Sequence, residues 1–266
     1  MTGNASFGLL LSLLAGLSTG IGSAIAYFIR RPKPWLMALI LGFSAGVMIY
    51  VSFAELLKAS LEQIGLLSAN IWFFVGILFI ALLDVLVPHE YKQERVEDTH
   101  PGYIHHRQRR RQGQLNRMGR MGLLVALGIT IHNFPEGLVV FSGGVTGDTT
   151  FGVLVATAIA LHNIPEGISV SIPIAEATGN RNRAFLFSFA AGLAEPLGAL
   201  IGYAILFNFL TTGLIYSLMA FAAGIMVYIS LDELLPTAHQ YGKEHMVILG
   251  IVSGMAIMAI SIILLR

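Results

Sequence analysis

Apolar residues in this chain fall into long unbroken runs, separated by short polar stretches. A run of about 20 apolar residues is long enough to cross a bilayer as a helix. Eight such runs stand out: Phe7–Ile29, Trp35–Leu57, Asn70–Val87, Met121–Phe141, Phe151–Ile174, Ala184–Phe207, Leu214–Leu235 and Val247–Leu265. A membrane β-barrel would show alternating segments of about ten residues, which these runs do not. The predicted fold is therefore all-α and integral to the membrane, with eight transmembrane helices in a single domain over residues 1–266. One long polar loop, residues 89–120, joins spans 3 and 4 and contains His89, His100, His105 and His106. It reads as a solvated linker or a weak metal-collecting segment, and its spacing matches no closed metal site.

Charge placement gives the direction of the spans. Of the 16 Lys and Arg residues, all but Lys58 and Arg266 fall in the loops after spans 1, 3, 5 and 7. Positive loops face the cytoplasm, so both termini are expected outside it, in a multi-pass protein of the cell (inner) membrane. The segment before span 1 carries no Lys or Arg, so span 1 is expected to be a helix and not a cleavable signal.

Composition agrees. Of 266 residues, 55% are hydrophobic and only 12% charged, against roughly 25% charged in soluble domains. Mean hydropathy is +0.75. A soluble enzyme, a disordered chain and, at a net charge of +1, a nucleic-acid binder are excluded. With no cysteine, disulfides and thiolate ligands are impossible.

Internal repeats come next. Residues 45–57 and 223–235 match at 8 of 13 positions with an offset of 178, including Ala, Gly, Met, Tyr, Ser and Glu. At an offset of 176, Ala15-Gly16-Leu17 matches Ala191-Gly192-Leu193, Gly22 matches Gly198 and Tyr27 matches Tyr203. Spans 3 and 8 show little likeness. The paired spans run in opposite directions, so spans 1–3 and 6–8 form an inverted repeat around spans 4 and 5. Secondary transporters are built this way, with substrate bound near the midplane.

Spans 4 and 5 carry the chemistry. Span 4 contains His132-Asn133-Phe134-Pro135-Glu136-Gly137, and span 5 contains His162-Asn163-Ile164-Pro165-Glu166-Gly167. In each, His, Asn and Glu lie three or four residues apart and share one helix face. The prolines should bend the helices and free carbonyls near Ile131 and Leu161. Imidazole, amide oxygen, carboxylate and loose carbonyl together suit a divalent cation. A third acid, Glu195, precedes Pro196 in span 6, and no Lys or Arg sits in the middle of any span. Three acids in hydrocarbon call for a cation.

The paired His-Asn-x-Pro-Glu-Gly motifs resemble the hallmark of the ZIP (Zrt-, Irt-like) metal transporters, in particular their bacterial zinc-transporting subgroup. The resemblance covers essentially the whole chain. It implies a 3+2+3 helical bundle around a two-metal centre between helices 4, 5 and 6. It implies a first site of His132, Glu136, His162 and Glu166. The second would be Asn133, Glu136, Asn163, Glu166 and Glu195, with Glu136 and Glu166 bridging. Imidazole ligands suit Zn²⁺, and an all-oxygen site suits Fe²⁺ or Mn²⁺. The implied activity is uptake of divalent cations into the cytoplasm: chiefly Zn²⁺, with Fe²⁺, Mn²⁺, Co²⁺ and Cd²⁺ as further cargo. No prosthetic group and no nucleic acid are implied. The partners are the metal ions and the lipid bilayer, with homodimer formation left open.

Two other classes compete. A zinc protease of the commonest type needs His-Glu-x-x-His, which is absent. A di-iron bundle uses Glu-x-x-His on unbroken helices, whereas here His precedes Glu by four and proline intervenes. A metal sensor or structural protein would not need an inverted repeat. The chain is thus expected not to be an enzyme. Weaker positions are Glu55, read as lining the outer mouth, and Asp232, Glu233 and His239, read as lining the cytoplasmic exit; interfacial solvation is the alternative for all four. Asp84 and His89 rank with them, and Met48 and Met226 read as packing.

Overall fold

The computed structural model describes residues 5–29, 33–86, 130, 133–145, 147–206 and 211–265. The loop 89–120, with its four histidines, lies outside the described residues. The elements are α1 (Ala5–Phe28), α2 (Pro34–Val51), α3 (Lys58–Ile64), α4 (Leu66–Leu86), α5 (133–145), α6 (Thr149–Thr178), α7 (Arg181–Gly192), α8 (Ala194–Ile201), α9 (Thr212–Ile229), α10 (Leu235–Gln240) and α11 (Glu244–Leu265). Seven helical stretches among the described residues are long and apolar enough to cross a membrane. The fold is all-α and integral to the membrane.

Helix ends follow local chemistry. Asp148, Asn180 and Thr211 each accept a hydrogen bond from the backbone N–H three residues on, at 3.0, 3.0 and 3.2 Å, and so start α6, α7 and α9. Gly179, at φ 65°, ends α6 in the left-handed conformation that glycine adopts without strain.

Several boundaries differ from the pattern of apolar runs. Span 2 does not stop at Leu57. It passes through a π-helical turn, Ser52–Leu57, and continues as α3 to Ile64, because nothing before Gly65 (φ 80°) breaks a helix. Past that glycine, α4 starts at Leu66, earlier than Asn70. Span 6 is broken at Leu193 between α7 and α8. Pro196 lacks the N–H that the Gly192 carbonyl would accept, so the helical hydrogen-bond ladder is interrupted there. Span 7 passes through a second π-helical turn, Ser230–Leu234, and runs on as α10. By contrast, α6 stays helical through Pro165, which removes one hydrogen bond without ending the helix.

Packing sorts the helices into two groups that cut across chain order. One holds α1, α5, α6, α7 and α8; the other holds α2, α3, α4, α9, α10 and α11. In the first group, α1 lies along α6 and α7; in the second, α2 lies along α11 and α4 along α9. The main contact between the groups is α2 against α6.

Glycine lets the backbones within each group touch. Gly46 faces the Ile251 carbonyl, and its repeat mate Gly224 faces the Phe73 carbonyl. Adding 178 to 46 and 73 gives 224 and 251, so one contact is the image of the other. Gly254 on Phe43 and Gly76 on Phe221 are a second such pair. In the other group, Gly22 meets the Ile164 carbonyl and Gly198 meets that of Phe134, while Gly167 meets Thr19 and Gly137 meets Glu195. A Cβ on any of these glycines would overlap the facing carbonyl oxygen. Small residues permit this approach where no hydrophobic effect drives helices together. Among the described residues, none of these glycine contacts crosses between the two groups.

Candidate metal centre

The two motif helices meet inside the first group. On α5, Asn133 and Glu136 are buried; on α6, His162, Asn163 and Glu166 are buried; Glu195, at the start of α8, is buried with them. His132 lies outside the described residues.

Burial of this much polar chemistry is tolerated only if each group is oriented. The His162 Nδ1 lies 3.2 Å from the Ala158 carbonyl oxygen. A carbonyl only accepts, so Nδ1 carries the proton and Nε2 presents its lone pair. Nε2 is 3.3 Å from Glu136 Oε1. A backbone carbonyl that sets the tautomer in this way is the usual support of a metal-binding histidine. The Ser44 hydroxyl on α2 lies 3.4 Å from the His162 carbonyl oxygen and links the second helix group to this turn.

The asparagines are turned by the same logic. Asn133 Nδ2 donates to the Ala191 carbonyl at 3.1 Å. Asn163 Nδ2 donates to the Ala15 carbonyl at 3.0 Å and to Glu195 Oε2 at 2.7 Å. With the donor ends tied to protein, the acceptor ends face inward. Asn133 Oδ1, Asn163 Oδ1, both Glu136 oxygens and Glu195 Oε1 are buried with no hydrogen-bond partner among the described residues. Glu136 and Glu166 both stand close enough to Glu195 for their charges to act on it. Unsatisfied buried acceptors are costly, and so many in one place need a cation or protons between them. Among the described residues, which do not include His132, no three His, Asp or Glu side chains form a ligand group by themselves; the asparagine oxygens add to the donor set there.

The carbonyls of Ala15 and Ala191 were not anticipated. They are repeat mates, and both lie in the matched Ala-Gly-Leu segments. The repeat contained the signal, but alanine carries no side-chain chemistry to mark it. Of the weaker positions, Glu55 is only 2% exposed, on the π-helical turn of span 2, which excludes simple interfacial solvation. Its repeat mate Glu233 is half-buried on the matching turn, while Asp232 and His239 are exposed. Met48 and Met226 are fully buried, as packing residues would be. His89 and the side chain of Asp84 lie outside what is described.

Comparison with known proteins points to one family. The family described as "ZIP Zinc transporter" matches residues 61–262. A "Zinc transporter ZupT" of Nitratidesulfovibrio vulgaris is 49% identical over 273 aligned positions, covering 98% of both chains. Those of Chlorobium phaeovibrioides and Clostridium perfringens are 52% and 45% identical, each covering at least 96% of both chains.

Proposed function

The chain belongs to the ZIP zinc transporter family, and from that premise we propose that it carries Zn²⁺, and with it Fe²⁺ and Mn²⁺, across the inner membrane into the cytoplasm through a two-cation centre. The family is one of membrane transporters and not of enzymes. The cation is cargo. One site uses His132, Glu136, His162 and Glu166; the other uses Asn133, Asn163 and Glu195 with the two shared glutamates.

The observation that carries this reading is the set of inward-facing acceptors. Five buried oxygens on Asn133, Glu136, Asn163 and Glu195 lack a donor among the described residues, while the asparagine N–H groups are held by the Ala191 and Ala15 carbonyls. Such a set is organised for a cation before one arrives. Donor chemistry divides the labour: imidazole favours Zn²⁺, and the all-oxygen side favours the harder ions.

The two helix groups supply the movement. Glycine contacts lock each group internally and, among the described residues, none spans the α2–α6 boundary, so that boundary is the natural plane of relative motion. Every proposed ligand that is described lies in the first group, and the cation travels with it. Positive loops place the ends of spans 1, 3, 5 and 7 in the cytoplasm. Ligands must lose protons to bind metal, so protonation on the inner side favours release.

Uptake of radioactive zinc and manganese into proteoliposomes tests this reading. The wild type should concentrate label inside, and no uptake of either metal would end the proposal. Asn133→Ala and Glu195→Ala should each lower manganese uptake about tenfold or more while leaving zinc less affected. Equal losses for the two metals would refute the division of labour.

A further inference from the structure

Half of the buried serine and threonine hydroxyls among the described residues bond back to a carbonyl three or four residues earlier. Ser18 does so to Ala15, Ser52 to Met48 and Ser230 to Met226. This is the cheapest way to bury a hydroxyl in a helix. Thr19 on α1 does otherwise. Its side chain is fully buried and its Oγ1 has no hydrogen-bond partner among the described residues. Ser12 and Ser171 share that trait, but the position of Thr19 sets it apart.

Thr19 is the repeat mate of Glu195, at the offset of 176 that relates span 1 to span 6. The contacts repeat this relation. Gly167 packs on the Thr19 carbonyl as Gly137 packs on that of Glu195. Gly192 lies beside the Thr19 side chain, and its mate Gly16 beside Glu195 Cβ. Asn163 reaches the Ala15 carbonyl as Asn133 reaches that of Ala191. The pseudo-two-fold axis thus carries Glu195 onto Thr19.

The helix wheel agrees. Ala15 touches Asn163 on α6, and Gly16 touches Gly192 and Glu195. At about 100° per residue, Thr19 projects about 40° from Ala15 toward Gly16. It therefore lies on the face of α1 that meets α6, Gly192 and Glu195.

We propose that Thr19 is a cation-coordinating residue: α1 supplies one neutral oxygen to a hard divalent cation at the place where the other half of the repeat supplies the Glu195 carboxylate. The inference rests on the two-cation reading above. A hydroxyl adds a ligand for Mn²⁺ or Fe²⁺ without adding charge. Zinc, held by imidazole, depends on it less.

The test is equilibrium binding of manganese chloride and zinc chloride to the purified full-length protein by titration calorimetry. Thr19→Val should weaken manganese binding about tenfold and zinc binding by about twofold or less, and Thr19→Ser should bind both as the wild type does. Ser253→Ala, which removes a back-bonded hydroxyl from the second helix group, should change neither. Unaltered manganese binding by Thr19→Val would overturn the inference. So would equal weakening by valine and serine, or equal weakening for the two metals, since both point to packing alone. The outcome stands apart from the transport reading: if wild-type liposomes took up no metal, the binding series would still decide the role of Thr19.

Discussion

Replacing Glu136 or Glu166 with alanine is expected to abolish uptake of every metal, by more than about a hundredfold in initial rate. Losing a residue that merely supports a ligand costs about ten- to a hundredfold in metal affinity, and these two residues are proposed as ligands to both ions at once. Glu136 shows the reason. Both of its oxygens are buried without a donor among the described residues, and one faces His162 Nε2 at 3.3 Å. Removing it leaves a lone imidazole opposite a void and takes a negative charge from each site. Glu136→Gln tests charge against shape, because it keeps the volume and one oxygen; it should fail nearly as badly. The measurement is zinc and manganese uptake into proteoliposomes, with size-exclusion profiles showing that the variants fold. Uptake by either alanine variant within about threefold of wild type would contradict the bridging role, since even supporting residues cost more.

The second large effect concerns stability. Gly137→Ala should lower it by about 3 kcal/mol, at the upper end of what overpacking costs. A Cβ at this position would overlap the Glu195 carbonyl oxygen. That oxygen belongs to backbone, not to a flexible side chain, so α5 and α8 must separate. The repeat mate Gly167, which faces the Thr19 carbonyl, should behave alike. Gly143→Ala is the contrast. Its nearest neighbour to a new Cβ is at 3.6 Å, an ordinary contact, and loss of glycine from a helix should then stabilise by about 0.5 kcal/mol. Thermal unfolding in detergent reads all three. A Gly137→Ala protein that melts with the wild type would show that α5 and α8 do not approach as closely as the structure has them.

Much of this was legible in the residues because the physics is local. Apolar length predicts spans whatever their neighbours: seven of the eight expected spans fall on helices long and apolar enough to cross a membrane, and the centre of the other, Met121–Phe141, lies outside the described residues. Boundaries slipped where tertiary packing decides: Lys58 to Ile64 looks polar enough to leave the membrane, yet remains helical up to Gly65. The spacing of His162, Asn163 and Glu166 put them on one face, since four residues make about one turn. Glu195 stood out because an acid beside a proline in an apolar span is hard to explain otherwise.

What the sequence determined by itself is the helical membrane fold, the likeness of residues 45–57 to residues 223–235, and the residue types proposed for the centre. All of these follow from composition and from spacing within a helix. The tertiary structure alone decided how spans 3 and 8 relate, because their likeness lies in backbone contacts, Phe73 with Gly224 and Ile251 with Gly46, and not in side chains. It also decided that α1 belongs with α6 and not with its neighbour α2, and that the carbonyls of Ala15 and Ala191 aim the two asparagines. A backbone carbonyl is the same in every residue, so no pattern of letters marks the one that a distant amide will find.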